Sequence, residues 1–150
     1  MRHSVPFNDL RPGACFTWKH DDNKTIYLRT PGGAIALSEK ELKFVWLTAG
    51  NEKVEAWLEP IFHPLSTNAG KHNVPLNSLV IWKDHSGRVR RSLLIKSDNP
   101  MTNLSVYVDV ESGRDDVPQQ WQIESVHTDW EVRDATHEKP EPIRRLPASS

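Results

Sequence analysis

A single cysteine, Cys15, is the only thiol in this 150-residue chain, which rules out an intrachain disulfide and a cysteine-built metal site. Flanked by Ala14 and Phe16, it reads as a small buried hydrophobe rather than a nucleophile. Long apolar runs are missing as well. The longest, such as residues 44–47 and 79–82, stop at four residues, far below the roughly 20 that a membrane-crossing helix needs. Met1-Arg2-His3-Ser4-Val5-Pro6 holds no apolar signal core, so the expectation is a cytoplasmic protein with no membrane partner.

Catalytic signatures are equally scarce. The chain has neither the Gly-x-Ser-x-Gly elbow of a serine hydrolase nor the Gly-x-x-x-x-Gly-Lys-Ser/Thr loop that cradles phosphates. Seven histidines are present, and His20-Asp21-Asp22 and Asp84-His85 set acids beside two of them. No His-x-x-x-His pair accompanies them, and polar turn chemistry accounts for both clusters. Glu39, Glu41 and Glu55 are acids whose separation in space the sequence does not give. No catalytic residue, metal or cofactor is therefore expected. A net charge of −1, from 19 basic and 20 acidic side chains, offers no global attraction to a polyanion.

What the chain has in quantity is tryptophan and short alternating segments. Trp18, Trp46, Trp57, Trp82, Trp121 and Trp130 each bring a large apolar area and one N–H to satisfy, so most belong in a core or an interface. Residues 104–110 are the clearest strand: Leu104, Val106, Val108 and Val110 point one way, Ser105, Tyr107 and Asp109 the other. Residues 120–126, around Trp121 and Ile123, and 129–133, around Trp130 and Val132, read as half-exposed strands.

Near the N-terminus, residues 15–18 and 25–29 flank the polar run His20-Asp21-Asp22-Asn23-Lys24 and predict a hairpin, with a further strand at 34–37. Ser38 and Glu41 have capping-box spacing for a brief helix. Leu42, Phe44 and Trp46 also alternate, which favours a strand over 42–47 paired with 53–58 across residues 48–52. Residues 79–83 and 89–96 predict a second hairpin about Asp84-His85-Ser86-Gly87.

The fold class is thus all-β, with two small barrel-like lobes at 1–59 and 75–134. Between them lies a linker over 60–74, punctuated by Pro60 and Pro64 and poor in strand signals. An extended tail, 135–150, follows. With Pro140, Pro142 and Pro147 and few apolar residues, it is expected to be held by a partner rather than to dock by itself. The lobes echo each other, Phe16-Thr17-Trp18-Lys19 in one and Val80-Ile81-Trp82-Lys83 in the other, the pattern of either a degenerate duplication or convergent hairpins.

The run Leu10-Arg11-Pro12-Gly13-Ala14-Cys15-Phe16-Thr17-Trp18, followed by Ile26-Tyr27-Leu28-Arg29-Thr30 and Ala34-Ile35-Ala36-Leu37, resembles small SH3-like barrel proteins of bacteria and bacteriophages. Arg29 stands where a lysine is more usual, and nothing after Pro60 belongs to the pattern. The resemblance implies a barrel-like lobe and a phage or mobile-element origin, and it carries over no functional residues.

Charge is distributed unevenly. Residues 79–96 carry five basic side chains against Asp84 alone, whereas residues 97–142 carry 3 basic and 11 acidic ones. Two surfaces follow as candidates. The basic hairpin, with Trp82, Lys83, Arg88, Arg90 and Lys96, could grip nucleic acid by phosphate contacts and stacking, or be neutralised by the acidic strands beside it. The acidic lobe could offer a basic protein partner a rim of Asp115, Asp116, Glu124, Asp129 and Glu131 around Trp121 or Trp130. A non-enzymatic protein-binding or assembly module ranks first, a nucleic-acid-binding accessory protein second and an enzyme third.

Overall fold

Alternation becomes pairing wherever two apolar faces can share one core. The computed structural model describes residues 2–18, 25–37, 42–46, 52–57, 60–66, 70, 72–97, 105–134 and 142–147. The expected loop 20–24, the Ser38 and Glu41 capping pair, the turn at 48–51 and Leu104 lie outside the described residues. The fold is all-β, and its sheets are open rather than closed barrels. No helix among the described residues is long and apolar enough to cross a membrane.

The first sheet contains β1 (Arg2–Pro6), β2 (Cys15–Trp18), β3 (Tyr27–Thr30), β4 (Gly33–Leu37), β5 (Leu42–Trp46) and β6 (Lys53–Trp57), in the order β1-β6-β2-β3-β4-β5. The β2–β3 hairpin forms as read, with Cys15 opposite Leu28. The pairing of 42–47 with 53–58 does not: β5 lies against β4, whereas β6 sits between β1 and β2. The cause is the apolar face of each strand. Val54 and Ala56 of β6 pack with Phe7 and Phe16, while Leu42 of β5 packs in a different cluster with Leu28 and Ile35.

The second sheet contains β8 (Leu79–Lys83), β9 (Val89–Lys96), β10 (Ser105–Asp109) and β11 (Ile123–His127), in the order β10-β9-β8-β11. The β8–β9 hairpin is as read, with Leu79 opposite Leu93 and Trp82 opposite Arg90. The orders β6-β2-β3-β4 and β11-β8-β9-β10 follow one plan. In each, a hairpin gains a third strand and a late strand returns to flank the first.

The third sheet joins β7 (Pro60–Pro64), β12 (Asp129–Asp134) and β13 (Pro142–Pro147), in the order β13-β12-β7. Two expectations change here. The stretch read as linker supplies β7, whose buried Phe62 stacks at a tilt on Trp130 with ring centroids 5.7 Å apart. Of the tail, the described residues 142–147 are extended, but they pair with β12 of the same chain, Arg144 opposite Val132 and Arg145 opposite Glu131. Backbone pairing supplies what the tail's apolar content could not, and an outer strand tolerates the prolines at its ends.

One cluster spans all three sheets. Cys15, Leu28, Ile35, Leu37 and Leu42 of the first meet Leu79, Leu93, Ile95 and Val108 of the second and Phe62, Trp130 and Val132 of the third. The opposite face of the first sheet is covered too. Phe7 stacks on Trp18 and Phe16 on Tyr27, at 5.6 and 5.4 Å. Cys15 and Phe16, adjacent in β2 and both fully buried, therefore serve different clusters.

Candidate functional site

Arg90 shows how the basic hairpin is built. Alternation along β9 puts Arg90 and Ser92 on the face of Trp82, and the indole Nε1–H donates to the Ser92 hydroxyl at 2.9 Å. Trp82 is 2% exposed, so its face is closed to a nucleotide base. The Arg90 guanidinium lies 6.0 Å from that ring and donates to the fully buried Asp109 carboxylate. Asp84 and Asp116 stand at 3.5 and 3.8 Å from it. Arg90 is held above its ordinary pKa, first by the hydrogen bond to Asp109. Asp84 is held below the usual carboxylate range, first by the Ser86 hydroxyl.

Two other cations of the hairpin are engaged in the same manner. Arg88 pairs with Glu111 at 2.6 Å and Lys83 with Glu124 at 3.2 Å. Lys96, exposed at the far end of β9 opposite Ser105, has no ion pair among the described residues. The acids that follow β9 in sequence thus return alongside it. Of the five residues read as a nucleic-acid ribbon, one is buried and three are matched by carboxylates.

The acidic rim does not gather around one tryptophan. Trp130 is fully buried, its indole N–H bonded to the Asn77 carbonyl at 2.9 Å. Glu131 is buried beside it, and Asp129 binds the 60s segment through its backbone, accepting from the N–H of Leu65 and of Ser66 at 2.9 and 3.1 Å. Asp115 is exposed, and half-buried Asp116 faces Arg90.

Trp121 is different. It sits on a short 3-10 turn, residues 120–122, before β11, and is 71% exposed. His85, at the tip of the β8–β9 turn, leans on it with ring centroids 6.2 Å apart. The neighbouring Gln120 amide donates to His72 Nδ1 at 2.9 Å. Glu124, tied to Lys83, follows three residues on. The outer end of the second sheet therefore presents an indole within a polar frame of both charges. His85 and His72 were not singled out from sequence as parts of such a surface, because contacts between turns leave no periodic signal.

The chain matches no protein-family model, no curated protein and no solved structure.

Among the described residues, no three of His, Cys, Asp and Glu gather as a metal would require. Burial pushes the Cys15 thiol up to about 12, which keeps it protonated and far from nucleophilic at neutral pH.

Proposed function

We propose that this chain is a non-enzymatic protein-binding or assembly module whose anchor is Trp121. The observation that carries the reading is the exposure of that indole, the greatest of any large hydrophobic side chain among the described residues. An exposed aromatic held by a neighbouring ring is the feature around which interface energy concentrates, since covering it removes a large apolar area from water at little entropic cost. The partner's chemistry follows from the surroundings: an apolar side chain to cover the ring, with polar groups to meet the frame of His85 and Glu124 beside it. The setting implied by the N-terminal resemblance, a bacteriophage assembly component, belongs to the same proposal.

Support for nucleic acid as the partner is weaker, because Lys83, Arg88 and Arg90 already have carboxylates and a polyanion would have to displace them. The test compares the full chain with Trp121→Ala by quantitative capture from a lysate of the source cell. A defined protein retained by the parent and lost by a variant of unchanged melting temperature is the expected result. Equal retention by both, or tight salt-sensitive binding of the parent to a single-stranded oligonucleotide, would overturn the proposal.

A further inference from the structure

Among the described residues, Arg91 is the one arginine of the β8–β9 hairpin without a carboxylate partner. It shares its face of β9 with Leu93 and Ile95, so it projects to the side of the main core rather than toward Trp82. Its guanidinium has no hydrogen bond or ion pair among the described residues, and its Nε is wholly buried without a partner. A buried N–H left unpaired is costly, and unlike Arg90, whose Nε is also orphaned, the half-buried Arg91 has no carboxylate to offset it among the described residues.

Arg91 lines a cleft of about 460 Å³ where the three sheets meet, together with Arg11, Gly13, Pro60, Ile61, Phe62, Val110 and Glu111. Arg11, also without an ion pair, reaches only the backbone carbonyls of Glu111 and Pro12, at 3.4 and 3.5 Å. The one carboxylate of the lining, Glu111, is drawn to Arg88 at 2.6 Å. Two guanidinium groups thus border the cleft with no anion of their own among the described residues. Ile61, 43% exposed, and Phe62, Pro60 and Val110 make the rest of the wall apolar.

We infer that this cleft binds a carboxylate carried on an apolar group, with Arg91 and Arg11 holding the carboxylate and β7 receiving the apolar part. Guanidinium forks match a planar carboxylate in geometry and charge. A bare phosphate would leave the β7 wall uncovered. The apolar acid can be a small molecule or the C-terminus of a peptide, and both offer the same group to the cleft. The inference rests on residues separate from Trp121.

Amide chemical shifts of the full chain, followed by NMR during titration, provide the test. N-acetyl-leucine should shift the amides of Gly13, Ile61, Phe62 and Val110 to saturation, while N-acetyl-leucinamide, which lacks the charge, should bind about tenfold more weakly or not at all. A glycine-rich hexapeptide ending in leucine that binds more tightly than N-acetyl-leucine identifies a peptide terminus as the source; one that binds no better identifies a small acid. Arg91→Gln should weaken N-acetyl-leucine about tenfold, and Arg11→Gln, at an exposed position that leaves the fold intact, by a smaller factor. Equal binding of the acid and the amide, equal shifts with inorganic phosphate, or no response at these amides would overturn the inference.

Discussion

Trp130 donates its indole N–H to the backbone carbonyl of Asn77 across 2.9 Å of the interior, and Asn77 spends its other groups on the remaining two sheets. Its side-chain oxygen accepts the Leu42 N–H at 3.0 Å, and its own N–H donates to the Leu94 carbonyl at 2.7 Å. One residue therefore fastens β5, β9 and β12. It does so at φ 69°, a left-handed conformation that no other non-glycine residue described here adopts. Asparagine reaches that region more readily than most side chains.

Asn77→Ala should cost about 2–3 kcal/mol, the loss of a buried hydrogen bond added to backbone strain. Asn77→Gly, free of the strain but still without the amide, should cost about 1 kcal/mol. Urea denaturation of both variants checks the order, and equal losses would show that strain contributes nothing.

Gly13 and Gly113 form a second joint. A Cβ on Gly13 would stand 1.9 Å from the Glu111 carbonyl oxygen, and one on Gly113 2.2 Å from that of Arg29, both at positive φ. Alanine at either position should destabilise the fold by about 3 kcal/mol or more, because only backbone can yield. Gly87→Ala, at φ +83° with open space around it, should cost only about 1 kcal/mol of strain. Thermal melts of the three variants separate conformation from collision.

Arg90 and Arg88 offer a paired comparison. Arg90→Ala abandons the fully buried Asp109 carboxylate and should cost about 3 kcal/mol, whereas Arg88→Ala, at an exposed pair, should cost less than about 1 kcal/mol. Acid should act in the same region. Asp84 is held below its ordinary value of 3.8, so its contribution is present above that pH and is lost as pH falls through the lower folded value. Asp84→Asn should flatten the decline of stability on acidification.

Cys15 makes an alkaline prediction. Its thiol rises from 9.0 to about 12 on burial, so the stability it supports is complete below pH 9 and is lost as the pH climbs towards the folded value. A thiol reagent should leave the native chain unlabelled and label it fully in denaturant. Cys15→Ala should remove that part of the alkaline loss.

Local pattern made much of this architecture legible. Leu79, Leu93, Ile95 and Val108 sit inward as their alternation requires, and Asp84-His85-Ser86-Gly87 closes the hairpin it marked. Partnership between distant strands was less readable. β1 offers only Val5 as an apolar signal and becomes a strand by pairing with β6, and β7 becomes one by pairing with β12. Trp130 stood as a candidate anchor only because charges flank it, yet it lies in the core and Glu131 is itself buried. Arg91 did carry a signal, as the charged residue in phase with Leu93 and Ile95. Trp121 was legible as a candidate anchor from the acids that follow it, but its place on a 3-10 turn rather than in a strand was not, since such a turn has no alternation to read.

The third sheet gives the protein a late keystone. Trp130 and Val132 reach the shared core from β12, after every other residue of that cluster has been synthesised. A ribosome releasing the chain from its N-terminus therefore exposes Leu28, Ile35, Leu37 and Leu42 well before their final cover emerges. Chains interrupted before β12 should be sticky, because the apolar face of the first sheet then lacks the cover that Trp130 and Val132 bring.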